Sequence, residues 1–221
     1  MPIPEQTRAD ALAIIARYPD GQARSALLPM LHLVQAAEGY VTVAGIAFCA
    51  ELLGLTKAEV GAVATFYTMY KRRPVGEHIV SVCTNTLCGM LGGDEIFAAV
   101  STELGVGHDQ TTEASEEGVA LTLEHAECLA ACDYAPVVTV DYEFFDQQTV
   151  DSAVGLVHAL RRGEKPLPTR GAPLCTFRET SRLLAGFPDP RLDVVDVGLP
   201  GPPTLASFAH SASSTAPDRG R

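Results

Sequence analysis

Lysine and arginine are absent from residue 74 to residue 160, where 15 acidic side chains fall between Glu77 and Asp151. The whole chain of 221 residues carries 16 basic and 27 acidic side chains, a net charge of −11. Nucleic-acid binders present clustered cations to phosphates, so this balance argues against that class. No apolar run approaches the roughly 18 residues of a spanning helix, and direct membrane insertion is not expected. The start, Met1-Pro2-Ile3-Pro4-Glu5, lacks the basic and apolar regions of a secretory signal. The expectation is a soluble cytoplasmic protein docked onto something larger. Two chemical signatures are also missing. There is no C-x-x-C of a thiol–disulfide oxidoreductase. There is no G-x-G-x-x-G either: Gly89-Met90-Leu91-Gly92-Gly93 lacks that spacing and reads as a close-packing turn.

What is present is a core and an uneven chain. Hydrophobic residues make up 47%, enough for a folded domain. Nine of the 15 prolines lie after residue 165. Residues 166–221 therefore read as a Pro-rich extended or disordered tail, or a strap on a partner. Residues 1–73 read as a helical domain. Leu27, Leu28, Leu31 and Val34 recur at helical spacing. Thr42 is an N-cap for a helix through Ile46, Leu52 and Leu53, stopped at Gly54. Thr56 and Glu59 form a capping box opening a helix through Val60, Val63, Phe66, Tyr67 and Tyr70, which Pro74 ends.

From residue 75 the period changes. His78 to Val82 reads as a strand, Ile96 to Leu104 as a helix, and Val119 to Leu123 as a strand. Pro136 to Phe145 holds one or two strands, and Thr149 to Arg162 is an amphipathic helix. The order is β-α-β-β-α, an α/β domain over 74–165.

Six cysteines remain: Cys49, Cys83, Cys88, Cys128, Cys132 and Cys175. Structural disulfides are rare in the cytosol. Cys83 and Cys88 follow the first strand as C-x4-C. Cys128 and Cys132 precede the Pro136 strand as C-x3-C. Loops at like ends of neighbouring strands approach, so four thiolates could converge. Such a set suits tetrahedral zinc or an iron–sulfur cluster, and spacing does not decide between them. Helix-start N–H groups after Cys83 and the small residues Ala130 and Ala131 favour the cluster. Cys49 reads as a buried inert thiol, and Cys175 as outside the ligand set. His32, His108, His158 and His210 show no partner pattern.

Thr65-Phe66-Tyr67-Thr68-Met69-Tyr70, Gly76-Glu77-His78 and the two cysteine pairs with Ala135-Pro136 resemble the E subunits of NADH-quinone oxidoreductases, whose mitochondrial counterpart is the flavoprotein 2 subunit of complex I. The resemblance runs from about residue 10 to about residue 165 and implies a thioredoxin-like ferredoxin domain preceded by a small all-helical domain. It implies one [2Fe–2S] cluster on Cys83, Cys88, Cys128 and Cys132. It also implies docking in a peripheral arm, on the cytoplasmic side of the membrane. The neighbours would be a flavoprotein F subunit, holding FMN and the NADH site, and an iron–sulfur G subunit. No complete active site is expected in this chain. Related subunits serve NAD-linked formate dehydrogenases and hydrogenases, and the cysteine pattern does not separate these assemblies. A zinc-stabilised scaffold without redox role is the reading from a different class. The acidic stretch would oppose adding an electron to any centre it surrounds, which predicts a potential well below that of a Rieske centre.

Overall fold

The computed structural model describes residues 3–114, 118–191 and 201–206. Four helices come first: α1 (Glu5–Ile15), α2 (Leu27–Glu38), α3 (Val43–Leu53) and α4 (Lys57–Phe66). Local chemistry sets their ends. The Thr42 hydroxyl accepts from the Gly45 N–H, and left-handed Gly54 closes α3. Thr56 and Glu59 form the reciprocal capping box of α4. Their apolar faces meet in one core around Ile14, Met30, Leu31, Leu33, Val34, Cys49 and Val60. Burial pushes the Cys49 thiol up to about 12, in keeping with an inert packing residue.

Helix α4 ends at Phe66, earlier than the sequence pattern predicts, and Tyr67 is already extended. The cause is a distant side chain. Gln35, fully buried on α2, donates to the Met69 carbonyl and accepts from the Lys71 N–H. Those bonds reward a turn, and Tyr70 folds inward to donate to the Leu28 carbonyl.

His32 packs its ring 4.8 Å from that of Tyr70, and its Nδ1 has no partner among the described residues. Burial holds this imidazole neutral, with its pKa lowered to about 4. The unfolded chain takes up this proton near pH 6.5, whereas the fold refuses it until about 4. Its contribution is therefore complete above pH 6.5 and declines as pH falls toward 4. At pH 5 the loss is expected to be ~2 kcal/mol. On going from pH 7 to pH 5, the urea midpoint of the wild-type chain should fall relative to that of His32→Leu.

The second half is a five-stranded sheet in the order β2-β3-β1-β4-β5. Its strands are β1 (His78–Cys83), β2 (Gln110–Thr111), β3 (Leu121–Ala126), β4 (Val138–Val140) and β5 (Glu143–Phe145). The short edge strand β2 has no counterpart in the sequence reading. Only β1 and β3 run parallel, in register from His78 opposite Leu121 to Cys83 opposite Ala126. The crossover between them carries α5 (Thr86–Met90) and α6 (Gly93–Leu104). Helix α7 (Val150–Arg161) packs beside α6. Val80, Val82, Leu121, Leu123, Val138 and Val140 share a core with Ile96, Val100, Leu156, Val157 and Leu160 of those helices. The alternate residues Ser81, Thr122, Glu124 and Thr139 give the other sheet face its polar character.

A two-residue turn joins β4 to β5, with φ positive at Asp141 (49°) and Tyr142 (74°). Those signs match a type I′ hairpin, which suits Asp at the first central position but normally takes glycine, not tyrosine, at the second. Asp141 is held there from outside. Its Oδ1 accepts from the Ile79 N–H at 2.9 Å, and its Oδ2 lies 2.5 Å from His78 Nδ1. Both side chains are buried, and burial pushes the Asp141 carboxyl up to about 6 despite the histidine.

The expectation of an extended or disordered tail does not hold for residues 166–191. Helix α8 (Phe177–Leu184) opens on a Thr176–Glu179 capping box and packs on α2. Phe177 and Ser181 are fully buried, and Gln35 donates to the Ser181 hydroxyl. Arg178 donates to the Ala36 and Ala37 carbonyls near the α2 terminus, and Arg182 to Asp10 of α1. The Phe177 N–H reaches the Glu77 carbonyl just before β1. A segment late in the sequence thus ties the first helices to the sheet. Cys175, buried in this segment, pairs with the Thr180 hydroxyl at 3.2 Å, apart from the other cysteines. Among the described residues, no helix is long and apolar enough to cross a membrane.

Candidate metal centre

Parallel pairing of β1 and β3 sends both strands out at the same end of the sheet. Cys83 is the last residue of β1, and Cys128 follows the end of β3 by two residues. The 83–88 and 128–132 loops therefore lie side by side. Asn85 caps α5 by accepting from the Thr86 N–H, and its amide donates to Glu127 at 3.2 Å. One side chain thus bridges the two loops. Gly93, where α6 begins, fits close beneath them: a Cβ there would lie 2.5 Å from the Cys83 carbonyl and 2.8 Å from that of Cys88. Ala130 turns the second loop with a left-handed φ of 56°.

The four thiols form two pairs of different exposure. Cys83 and Cys88 are buried with Ala131 and Val137, near enough for Cys83 to disfavour ionisation of Cys88. Cys128 and Cys132 are exposed, with sulfurs 3.5 Å apart. That separation is far longer than a disulfide bond. Two thiolates on one tetrahedral metal, with bonds of about 2.3 Å, stand roughly 3.8 Å apart. Among the described residues, no three His, Cys, Asp or Glu side chains gather as a single-ion site would require. The arrangement is two adjacent pairs.

Electrostatics link the pairs. Burial and the neighbouring Cys83 push the Cys88 thiol up to about 11, with Cys132 adding a smaller repulsion. The Val137 N–H acts in the opposite sense, favouring negative charge on the Cys88 sulfur. Cys132 is raised first by its hydrogen bond to Cys128 and by that thiol's charge, and then weakly by Cys83. Each proton lost makes the next harder to lose. Cationic metal removes that conflict by taking the place of the protons. Thiolate ligands, an N–H directed at sulfur and a glycine-lined close approach all fit an iron–sulfur centre.

Beside the exposed pair runs a cleft of about 750 Å³, reaching from Cys128 and Leu129 along the polar sheet face to the 64–75 segment. Lys71 and Ser81 both engage Glu124 on its floor. At its edge the His108 and His125 rings meet at a tilt of 53° with centres 4.2 Å apart, and His108 Nε2 lies 3.3 Å from Asp109. His158 lies 2.6 Å from Glu103. His158 thus has a carboxylate partner that its own sequence neighbourhood does not show, because Glu103 lies on the neighbouring helix α6; the partner of His108 is simply the next residue. His210 lies outside the described residues. Asn85 and Val137 were also missed as parts of the site. The signal for Asn85 was its place between Cys83 and Cys88.

Residues 11–161 match the family model described as thioredoxin-like [2Fe–2S] ferredoxin. Among curated relatives, the E subunit of the Mycobacterium bovis NADH-quinone oxidoreductase is 62% identical over 199 residues, covering 90% of this chain and 76% of that protein. The Rickettsia conorii protein of the same name is 36% identical over 149 residues, covering 67% of this chain and 87% of its own. Among solved structures, an air-oxidised NAD⁺-reducing [NiFe]-hydrogenase superposes with a TM-score of 0.52 at 16% identity. That match covers 61% of this chain but only 22% of the hydrogenase chain, and it speaks to the fold alone.

Proposed function

This chain belongs to the thioredoxin-like [2Fe–2S] ferredoxin family, among the E subunits of NADH-quinone oxidoreductases, and from that premise we propose that it relays single electrons through one cluster held by Cys83, Cys88, Cys128 and Cys132. The observation that carries this reading is the pairing of the two cysteine loops on neighbouring parallel strands. When bound, a [2Fe–2S] cluster supplies reversible one-electron exchange and no proton or hydride chemistry. The buried pair fixes one side of the site, and the Val137 N–H favours negative charge on sulfur. The exposed pair forms the side at which a redox partner approaches most closely.

The partner we propose is the flavoprotein F subunit, whose FMN would receive hydride from NADH and pass electrons singly. The iron–sulfur G subunit is the second proposed neighbour. The assembly would stand at the cytoplasmic face of the membrane without inserting this chain. Helical, ferredoxin-like and C-terminal parts over 1–73, 74–165 and 166–221 are the proposed division of labour. Exposed Leu87, Met90 and Leu91, next to the first cysteine loop, and Phe66 and Met69, next to the cleft, supply apolar surface for docking. Stopped-flow absorbance tests the reading. NADH alone should leave the visible bands of the purified chain unchanged. Adding the partner flavoprotein should bleach them by one electron per chain. Bleaching by NADH without a flavoprotein, or none with it, would contradict the proposal.

A further inference from the structure

We propose that the C-terminal extension positions the Cys132 turn, gripping it from two sides, with Arg170, Gly201 and Thr204 as positioning residues. This rests on the reading that Cys132 is a cluster ligand. Cys132–Tyr134 is a single 3-10 turn with the exposed Cys132 and Asp133 on its surface. Its local bonds are few. The Tyr134 N–H donates to the Ala131 carbonyl, the Ala135 N–H to the Cys132 carbonyl, and the Gln147 N–H to the Tyr134 carbonyl. Two further sets of contacts come from beyond residue 165.

Arg170 supplies the first grip. Its guanidinium lies 4.6 Å from the Tyr134 ring centre and 4.4 Å from that of Phe144. The same group is fixed by a bidentate pair with Asp146, at 2.9 and 3.0 Å. Bidentate pairing locks the plane of the guanidinium, which makes it a firm surface for the ring. Thr169 adds hydrogen bonds to the Phe144 carbonyl and Asp146.

The second grip comes from a helical turn over 202–206, preceded by Gly201. The Thr204 hydroxyl donates to Asp133 Oδ2 at 2.5 Å. Gly201 lies so close to Tyr134 that a Cβ would stand 2.1 Å from the phenol oxygen. A larger residue there would have to push the Tyr134 phenol aside. Asp133 and Tyr134, the two residues following a proposed ligand, are thus held by different parts of the extension. The physical consequence is a turn with fewer alternative conformations, and so a Cys132 sulfur kept in place relative to Cys128.

The test uses the full chain carrying Thr204→Val, Thr204→Ser or Gly201→Val. In cluster-loaded protein, visible absorbance is followed in air with EDTA. Thr204→Val and Gly201→Val should lose colour about threefold faster than wild type, and Thr204→Ser at the wild-type rate. In cluster-free protein, hydrogen exchange of the 131–136 peptide reads the brace directly. It should quicken in the same two variants and not in Thr204→Ser. Equal exchange in all four proteins would overturn the inference, whether or not a cluster forms. Faster exchange with no cluster in any of them would sustain the brace and instead remove the proposed function. Faster exchange with unchanged colour loss would overturn the link between brace and ligand.

Discussion

Replacing Phe177 by alanine is expected to destabilise the chain by about 3–5 kcal/mol, the range for deleting a fully buried aromatic side chain. Phe177 has no exposed surface, its ring centre lies 6.4 Å from that of Tyr142, and its N–H binds the Glu77 carbonyl at the entry to β1. The cavity would open where α8 joins the helices to the sheet, so the effect should reach both cores. Phe66→Ala is the control, since that side chain is 77% exposed. It should shift stability by no more than about 0.5 kcal/mol. Urea midpoints of the two variants against wild type check the pair. A Phe177→Ala midpoint matching that of Phe66→Ala would mean that α8 is not part of the cooperative fold.

The second large effect concerns the thiols. Cys88→Ala and Cys132→Ala should each bring bound iron and acid-labile sulfide close to zero, because a binuclear centre with one cluster ligand removed loses its closed tetrahedral sets. The folded chain should survive, since neither sulfur belongs to the main cores. Cys49→Ala and Cys175→Ala should keep the full metal content: Cys49 sits in the helical core, and Cys175 faces Thr180. Iron and sulfide assays with far-ultraviolet circular dichroism separate ligand loss from unfolding. Iron retained in Cys132→Ala would take Cys132 out of the ligand set.

Much of this was legible from local rules. The hydroxyl–carboxylate pair Thr56 and Glu59 and the Thr42 cap act over three residues, so sequence spacing states them fully. The cysteine pairs were legible because each spans one loop, and the strand pattern from His78 placed the first at a strand exit. What lay hidden depends on distant partners. Helix α4 ends early through Gln35, which reaches Met69 and Lys71 from α2, while Pro74 gave a false end point. Helix α8 is short and lies among prolines, and composition masked it. Thr176 and Glu179 were its overlooked signal. Asn85–Glu127, Val137–Cys88 and Thr204–Asp133 each join residues that only the sheet and the returning extension bring together.

Whether these four cysteines hold a [2Fe–2S] cluster is decided by anaerobic spectroscopy of the purified full chain. Iron, sulfide and zinc are assayed, and absorption and EPR spectra are taken before and after dithionite. A red-brown protein is expected, with equal iron and sulfide, no zinc, and a rhombic one-electron signal that appears only on reduction. A colourless, EPR-silent protein carrying zinc would contradict that expectation, leaving the fold intact and the electron-transfer role without a carrier.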